Sequence, residues 1–108
     1  MKIEDFNKVI QNQLDYCKNL MISKGQEYAQ NDVDRLLVFK HAGAIQGESQ
    51  KMALAGMMSK HTISIYKMCQ KGTYPIEQWI EKITDNINYL LILRAMIEEE
   101  KEDENESK

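Results

Sequence analysis

The chain has a single proline, Pro75, and only five glycines in 108 residues, which leaves few points at which a helix must stop. Its two cysteines, Cys17 and Cys69, stand far apart with no CxxC spacing and no paired histidines. A disulfide framework and a zinc site are therefore set aside, and both thiols are expected in the core. No apolar run approaches the ~18 residues of a membrane span. The opening segment MKIEDFNK carries acid where a secretory signal would be basic and then apolar. These absences point to a cytoplasmic protein.

What the sequence does hold is a 43% hydrophobic content rich in Met, Leu and Ile, with Glu, Lys and Gln as the polar complement. That usage favours helix over strand, and the length allows one domain with one modest core. The formal charge of −3 is uneven. Residues 98–108 carry seven acids and two lysines, hence −5, so the rest of the chain carries +2. The expectation is an all-α domain over residues 1–97, followed by an acidic, frayed or disordered tail over 98–108. A mildly positive body suits a small anionic ligand and falls short of a nucleic-acid surface.

Three long helices and one short one are expected. From Ile3 to about Lys24, Phe6, Val9, Ile10, Leu14, Cys17, Leu20 and Met21 recur at three and four, the pattern of one buried face, and Gly25 offers a stop. Asp32 is the expected N-cap of a short helix through Leu36, Leu37, Phe39, Ala42 and Ile45 to Gly47. Ser49 caps a third helix to about Lys71, with Leu54, Met57, Met58, His61, Ile65 and Met68 on one face and Gly72 as its end. Pro75 suits the first turn of a fourth helix, from about Ile76 to Glu100. The first half of that helix shows an ordinary stripe of Trp79, Ile80, Ile83 and Ile87, whereas Tyr89, Leu90, Leu91, Ile92, Leu93, Ala95, Met96 and Ile97 go all the way round. A helix apolar on every side must be covered on every side, so a homo-oligomer interface is expected along this run.

Glu81, Asp85 and Asn88 share a column at i, i+4 and i+7, which could hold a hard cation such as Mg²⁺ through oxygen ligands. It could equally face water, but the same column continues into Ile92, which favours a covered position. His61 lies on the apolar face of the third helix, either as a core histidine or, with Lys60 and Ser64, as part of a phosphate-facing set. Between the first two helices, KGQEYAQNDVDR gathers Lys24, Glu27, Tyr28, Asp32, Asp34 and Arg35, either a solvated loop or a group of ligand contacts.

Taken together, the runs KGQEYAQNDVDRLLVFK, ALAGMMSKHTISIYKM and EKITDNINYLLIL resemble small bacteriophage and prophage proteins of the nucleotide modification associated domain 1 type. More distantly, they are similar to the MazG-like all-α nucleoside triphosphate pyrophosphohydrolases. The resemblance spans about residues 20–97. It implies a helical bundle, assembled as a dimer or tetramer, that binds Mg²⁺ with acids from two helices and cleaves between the α and β phosphates. Glu81 and Asp85 match the second acidic motif of that superfamily, whereas the first, a doubled Glu with a third one turn on, is missing. Where it would stand, the third helix offers Lys60 and His61, with Glu48 just before the helix.

Three functions compete. The first is a Mg²⁺-dependent pyrophosphohydrolase-like enzyme, with Glu81, Asp85 and Glu27 on metal, Glu81, Asp85 and His61 in catalysis, and Lys24, Tyr28, Arg35, Lys60, Ser64 and Asn88 binding the ligand. The second is a non-catalytic nucleotide-sequestering protein, and the third a helical oligomer that binds only protein.

Overall fold

The computed structural model describes the backbone of residues 1–27 and 34–106, and the side chains of those residues except 24–27. Four helices fill it: α1 (Ile3–Glu27), α2 (Leu37–Gln46), α3 (Gln50–Lys71) and α4 (Ile76–Glu106). No strand occurs among the described residues, and none of the described helices is long and apolar enough to cross a membrane.

Several boundaries follow directly from local chemistry. The Ser49 hydroxyl accepts from the Met52 amide at 3.2 Å, satisfying one of the orphan donors at the start of α3. Gly47 and Gly72 both take φ of 68°, the left-handed conformation that closes α2 and α3 at little steric cost to glycine. The Pro75 carbonyl accepts from Gln78 and Trp79, so this proline opens α4 as its fixed φ and missing amide suit.

Other boundaries differ from expectation. α1 runs through Gly25 to Glu27, since a glycine inside a helix costs only about 1 kcal/mol and does not oblige it to end. Asp32 lies outside the described residues. Asp34 instead prepares α2, its carboxylate accepting from the Leu36 amide at 2.9 Å and its carbonyl from Leu37 at 3.1 Å. α4 extends to Glu106, past the expected end at about Glu100. The start of the acidic run is anchored rather than merely solvated: Lys40 of α2 reaches Glu99 at 3.0 Å, and Lys51 of α3 reaches Glu100 at 3.1 Å.

The core is small. Leu36, Phe39, Leu54 and Met96 are buried together, with Met57, Tyr89, Ile92 and Leu93 packed on them. α2 pairs with α3 and α3 with α4, and α1 joins the rest through α4. The seam between α1 and α4 includes a hydrogen bond in which Gln13 Nε2 donates to the buried Thr84 hydroxyl at 2.8 Å. The last turn of α2 lies so close to the turn that leads into α3 that a Cβ built on Gly43 would lie 2.7 Å from the Glu48 carbonyl oxygen.

Two expected faces are turned differently. Cys17 is buried and Leu20 and Met21 are half-buried, but Ile3, Phe6, Val9, Ile10 and Leu14 of the same face of α1 are exposed. Periodicity identifies an apolar face, but whether the same chain covers it depends on where α1 meets α4. In α4 the ordinary stripe is not the core: Ile83 is exposed and Ile80 and Ile87 are half-buried, while Thr84, Asn88 and Met96 are buried. Cys69 is exposed, contrary to expectation, because it stands about 100° round the helix from Met68, which takes the buried position of the last turn of α3; both thiols are free.

Replacing Gly43 by Ala should therefore destabilise the fold by about 1–3 kcal/mol through overpacking, partly offset by alanine's better helix propensity. A melting temperature at or above the parent's would show that the α2–α3 turn has room to give. The Asp34–Lys40–Glu99 cluster supplies a second expectation. The Lys40 ammonium, and then the Leu36 amide, hold the Asp34 carboxyl below its ordinary 3.8, while Asp34 and Glu99 hold Lys40 above its ordinary 10.5. A depressed carboxyl stabilises above its unfolded value and loses that effect as pH falls. A raised ammonium stabilises below its unfolded value and loses that effect as pH rises. The melting-temperature gap between parent and Lys40→Met should hold between the ordinary values of 3.8 and 10.5 and close outside them. Because the cluster is partly exposed, added salt should narrow the gap as well.

Candidate functional site

A cleft of about 680 Å³ opens where α1, α2, the turn before α2, α3 and α4 face one another. α4 gives it Asp85, Asn88, Tyr89 and Ile92, three of which belong to the column singled out in the sequence. α3 contributes His61, α1 contributes Met21, and Asp34, Arg35, Leu37, Val38, Phe39 and His41 come from α2 and its approach.

The α3–α4 seam fixes the polar end of this cleft. His61 Nδ1 stands 3.7 Å from Asp85 Oδ2, close enough for an ion pair when the imidazole is protonated but too long for a hydrogen bond. The imidazole also leans on the Tyr89 ring, with centroids 5.1 Å apart at 41°. Asn86 binds the two backbones together, its amide nitrogen donating to the Lys82 carbonyl at 2.8 Å and to the His61 carbonyl at 3.3 Å. His61 and Asp85 are thus held by their helices.

Asn88 is the unusual member. It is 8% exposed, and its Oδ1 is buried with no hydrogen-bond partner among the described residues. An amide oxygen left unpaired in the interior costs about 1–3 kcal/mol, so buried acceptors of this kind are rare and ask for a donor. Asn88 is among the residues lining the cleft, but Oδ1 itself is shielded from solvent, so a donor brought into the cleft reaches it only when the side chain turns.

The expected site residues divide accordingly. Asp85, Asn88, His61 and Arg35 come together around one cleft. Glu81 does not join them: four residues back along α4 is about 6 Å of axial displacement, and it lines a separate shallow groove with Pro75, Glu77, Gln78 and Lys82. Lys60 is exposed and Ser64 half-buried, and neither lines the cleft. The side chains of Lys24 and Glu27, and Tyr28 entirely, lie outside the described residues. Among the described residues no three His, Cys, Asp or Glu side chains gather closely enough to hold a metal ion by themselves.

Asp34 and His41 were missed as partners of this column. Asp34, Val38 and His41 recur at four and three along α2 and its approach and all line the cleft, a periodicity that marks one face but carries no sign of what the face meets. No protein-family model matches the chain, and neither the curated proteins nor the solved structures give a match to it.

Proposed function

We propose that this cleft binds a nucleotide or a closely related phosphorylated small molecule, and that sequestration rather than turnover is its primary role. The observation that carries the reading is Asn88, a residue of the cleft lining whose amide oxygen has no hydrogen-bond partner among the described residues. An exocyclic amine or ring N–H of a base, or a sugar hydroxyl, supplies the missing donor. The Tyr89 ring and the Ile92 side chain give the apolar surface that a base or sugar covers, and Arg35, His41 and His61 bring cationic or donor groups suited to phosphate. The resemblance of the three sequence runs to phage nucleotide-modification proteins and, distantly, to MazG-like helical bundles supports the same ligand class.

Binding is preferred over hydrolysis because Glu81 is separated from the cleft that holds Asp85. Asp85 and Asn88 offer two oxygen donors, too few to build a Mg²⁺ site unaided. One carboxylate is nonetheless enough for Mg²⁺ carried in on the ligand's own phosphates, and in that case Asp85 would be its protein ligand. The placement of Asp85 3.7 Å from His61 favours a second reading, a Mg²⁺-dependent pyrophosphohydrolase-like enzyme in which His61 exchanges a proton with an attacking water.

A thermal-shift screen across nucleoside mono-, di- and triphosphates, with and without Mg²⁺, tests the proposal, because a ligand that binds only the folded state raises its melting temperature. At least one nucleotide should give a saturable rise. Asn88→Leu removes the unpaired acceptor at nearly constant volume, so the unliganded variant should melt at or above the parent temperature while losing most of the ligand shift. Asp85→Asn should lose only the Mg²⁺-dependent part. Release of pyrophosphate or phosphate by the parent would move the conclusion to the enzyme. If no nucleotide raises the melting temperature, or Asn88→Leu responds as the parent does, the proposed site is wrong.

A further inference from the structure

The outward side of α3 carries a patch that the cleft does not use. His61 faces α4, and opposite it on α3 Met52, Gly56, Ser59, Ile63, Tyr66 and Gln70 recur at alternating intervals of four and three. All six are exposed, with Met52, Ile63 and Tyr66 at 55%, 54% and 68%. That alternation is the heptad spacing along which one helix packs against another. A Cβ on Gly56 would meet nothing within 4 Å, and the Ser59 hydroxyl is folded back to donate to the Gly56 carbonyl at 2.7 Å. The row therefore dips between Met52 and Ile63, over about 16 Å, where a bulky apolar side chain of a partner can sit.

Charge gives the patch its character. From Gln50 to Lys71, α3 holds four lysines and no Asp or Glu. Lys51 is bound to Glu100 of α4, whereas Lys60, Lys67 and Lys71 are exposed and have no ion-pair partner among the described residues. Lys60 and Lys67 flank the row at equivalent positions, one heptad or about 10.5 Å apart, and Lys71 continues the basic edge. The other flank is uncharged, with Ala55, Thr62 and Cys69. In paired helices these flanking positions carry the charges that choose the partner.

We propose that this face of α3 docks an acidic amphipathic helix of another protein, its apolar ridge in the row and its carboxylates against Lys60 and Lys67. A second α3 has no carboxylate to bring, so charge sets the face against its own copy. A lipid surface calls for apolar side chains along the whole row, where this one dips, and a nucleic acid calls for cations with no apolar ridge beside them. Because the face lies across α3 from His61, the docking does not depend on what the cleft binds.

The probe is a displayed library of helices about three heptads long, with Leu or Ile on the seam and Glu, Gln or Lys at random on both flanks, sorted against the parent protein. Glu should be enriched over Lys on the flanks, and a synthetic helix of the selected sequence should bind less tightly as salt is added. Lys60→Glu with Lys67→Glu should weaken that helix about tenfold while circular dichroism shows the fold retained, and should reverse the library's preference to Lys. Lys60→Gln with Lys67→Gln should abolish the preference without reversing it, and it decides the matter if the Glu pair loses helicity. An empty selection, equal enrichment of Glu and Lys, or double variants that bind the selected helix as the parent does overturn the proposal. So does tighter binding of the parent to phosphatidylserine vesicles or to a short DNA duplex than to the selected helix, which would assign the lysines to a lipid or a nucleic acid.

Discussion

The hydrogen bond from Gln13 to the buried Thr84 hydroxyl captures the constraint on which the arrangement rests: α4 faces its neighbours with a polar column instead of its isoleucines. A buried hydroxyl without a partner is costly, and α1 brings the Gln13 donor to Thr84 where α4 turns it inward. Two residues on and across the helix, Asn86 ties α4 to the His61 carbonyl of α3, and about one turn beyond Thr84, Asn88 lines the cleft. Once this rotation is set, Ile76, Ile83 and Leu90 necessarily lie outside. The polar cleft and the bare apolar seam are two consequences of one choice.

Helix ends were largely legible in the sequence, because their causes are local. Ser49 caps, Gly47 and Gly72 take the left-handed conformation, and Pro75 opens a helix, all within a turn of the boundary. Gly25 shows the limit of this logic, since helix propensity is a small quantity that neighbouring residues easily outweigh. Faces were less legible. Ile3, Phe6 and Ile10 belong to the same apolar face as Cys17, yet only the Cys17 end meets α4. The sequence marks what would benefit from cover and carries no local sign of which molecule provides it.

The candidate site was half visible for the same reason. Asp85 and Asn88 could be paired with His61 by combining two helical patterns, and α3 and α4 pack in the register that joins them. Glu81 shares the column but sits a turn too early along the axis, a distance that helical angle alone does not reveal. Asp34 and His41 depend on how α2 lies over the cleft, which is set by the close approach of Gly43 to the turn before α3. The anchoring of Glu99 and Glu100 by Lys40 and Lys51 was hidden in a charge run whose composition reads as solvated.

The central claim is that Asn88 waits for a hydrogen-bond donor supplied by a bound nucleotide or its relative. The most direct measurement is the side-chain amide resonance of Asn88 in nitrogen-edited NMR, assigned through its loss in Asn88→Leu and followed as nucleotides with Mg²⁺ are titrated. The account predicts a saturable shift of that resonance, with the Tyr89 and His61 ring signals moving at the same ligand concentration. An Asn88 amide that stays still while a nucleotide perturbs some other surface, or that responds to none of them, would contradict it.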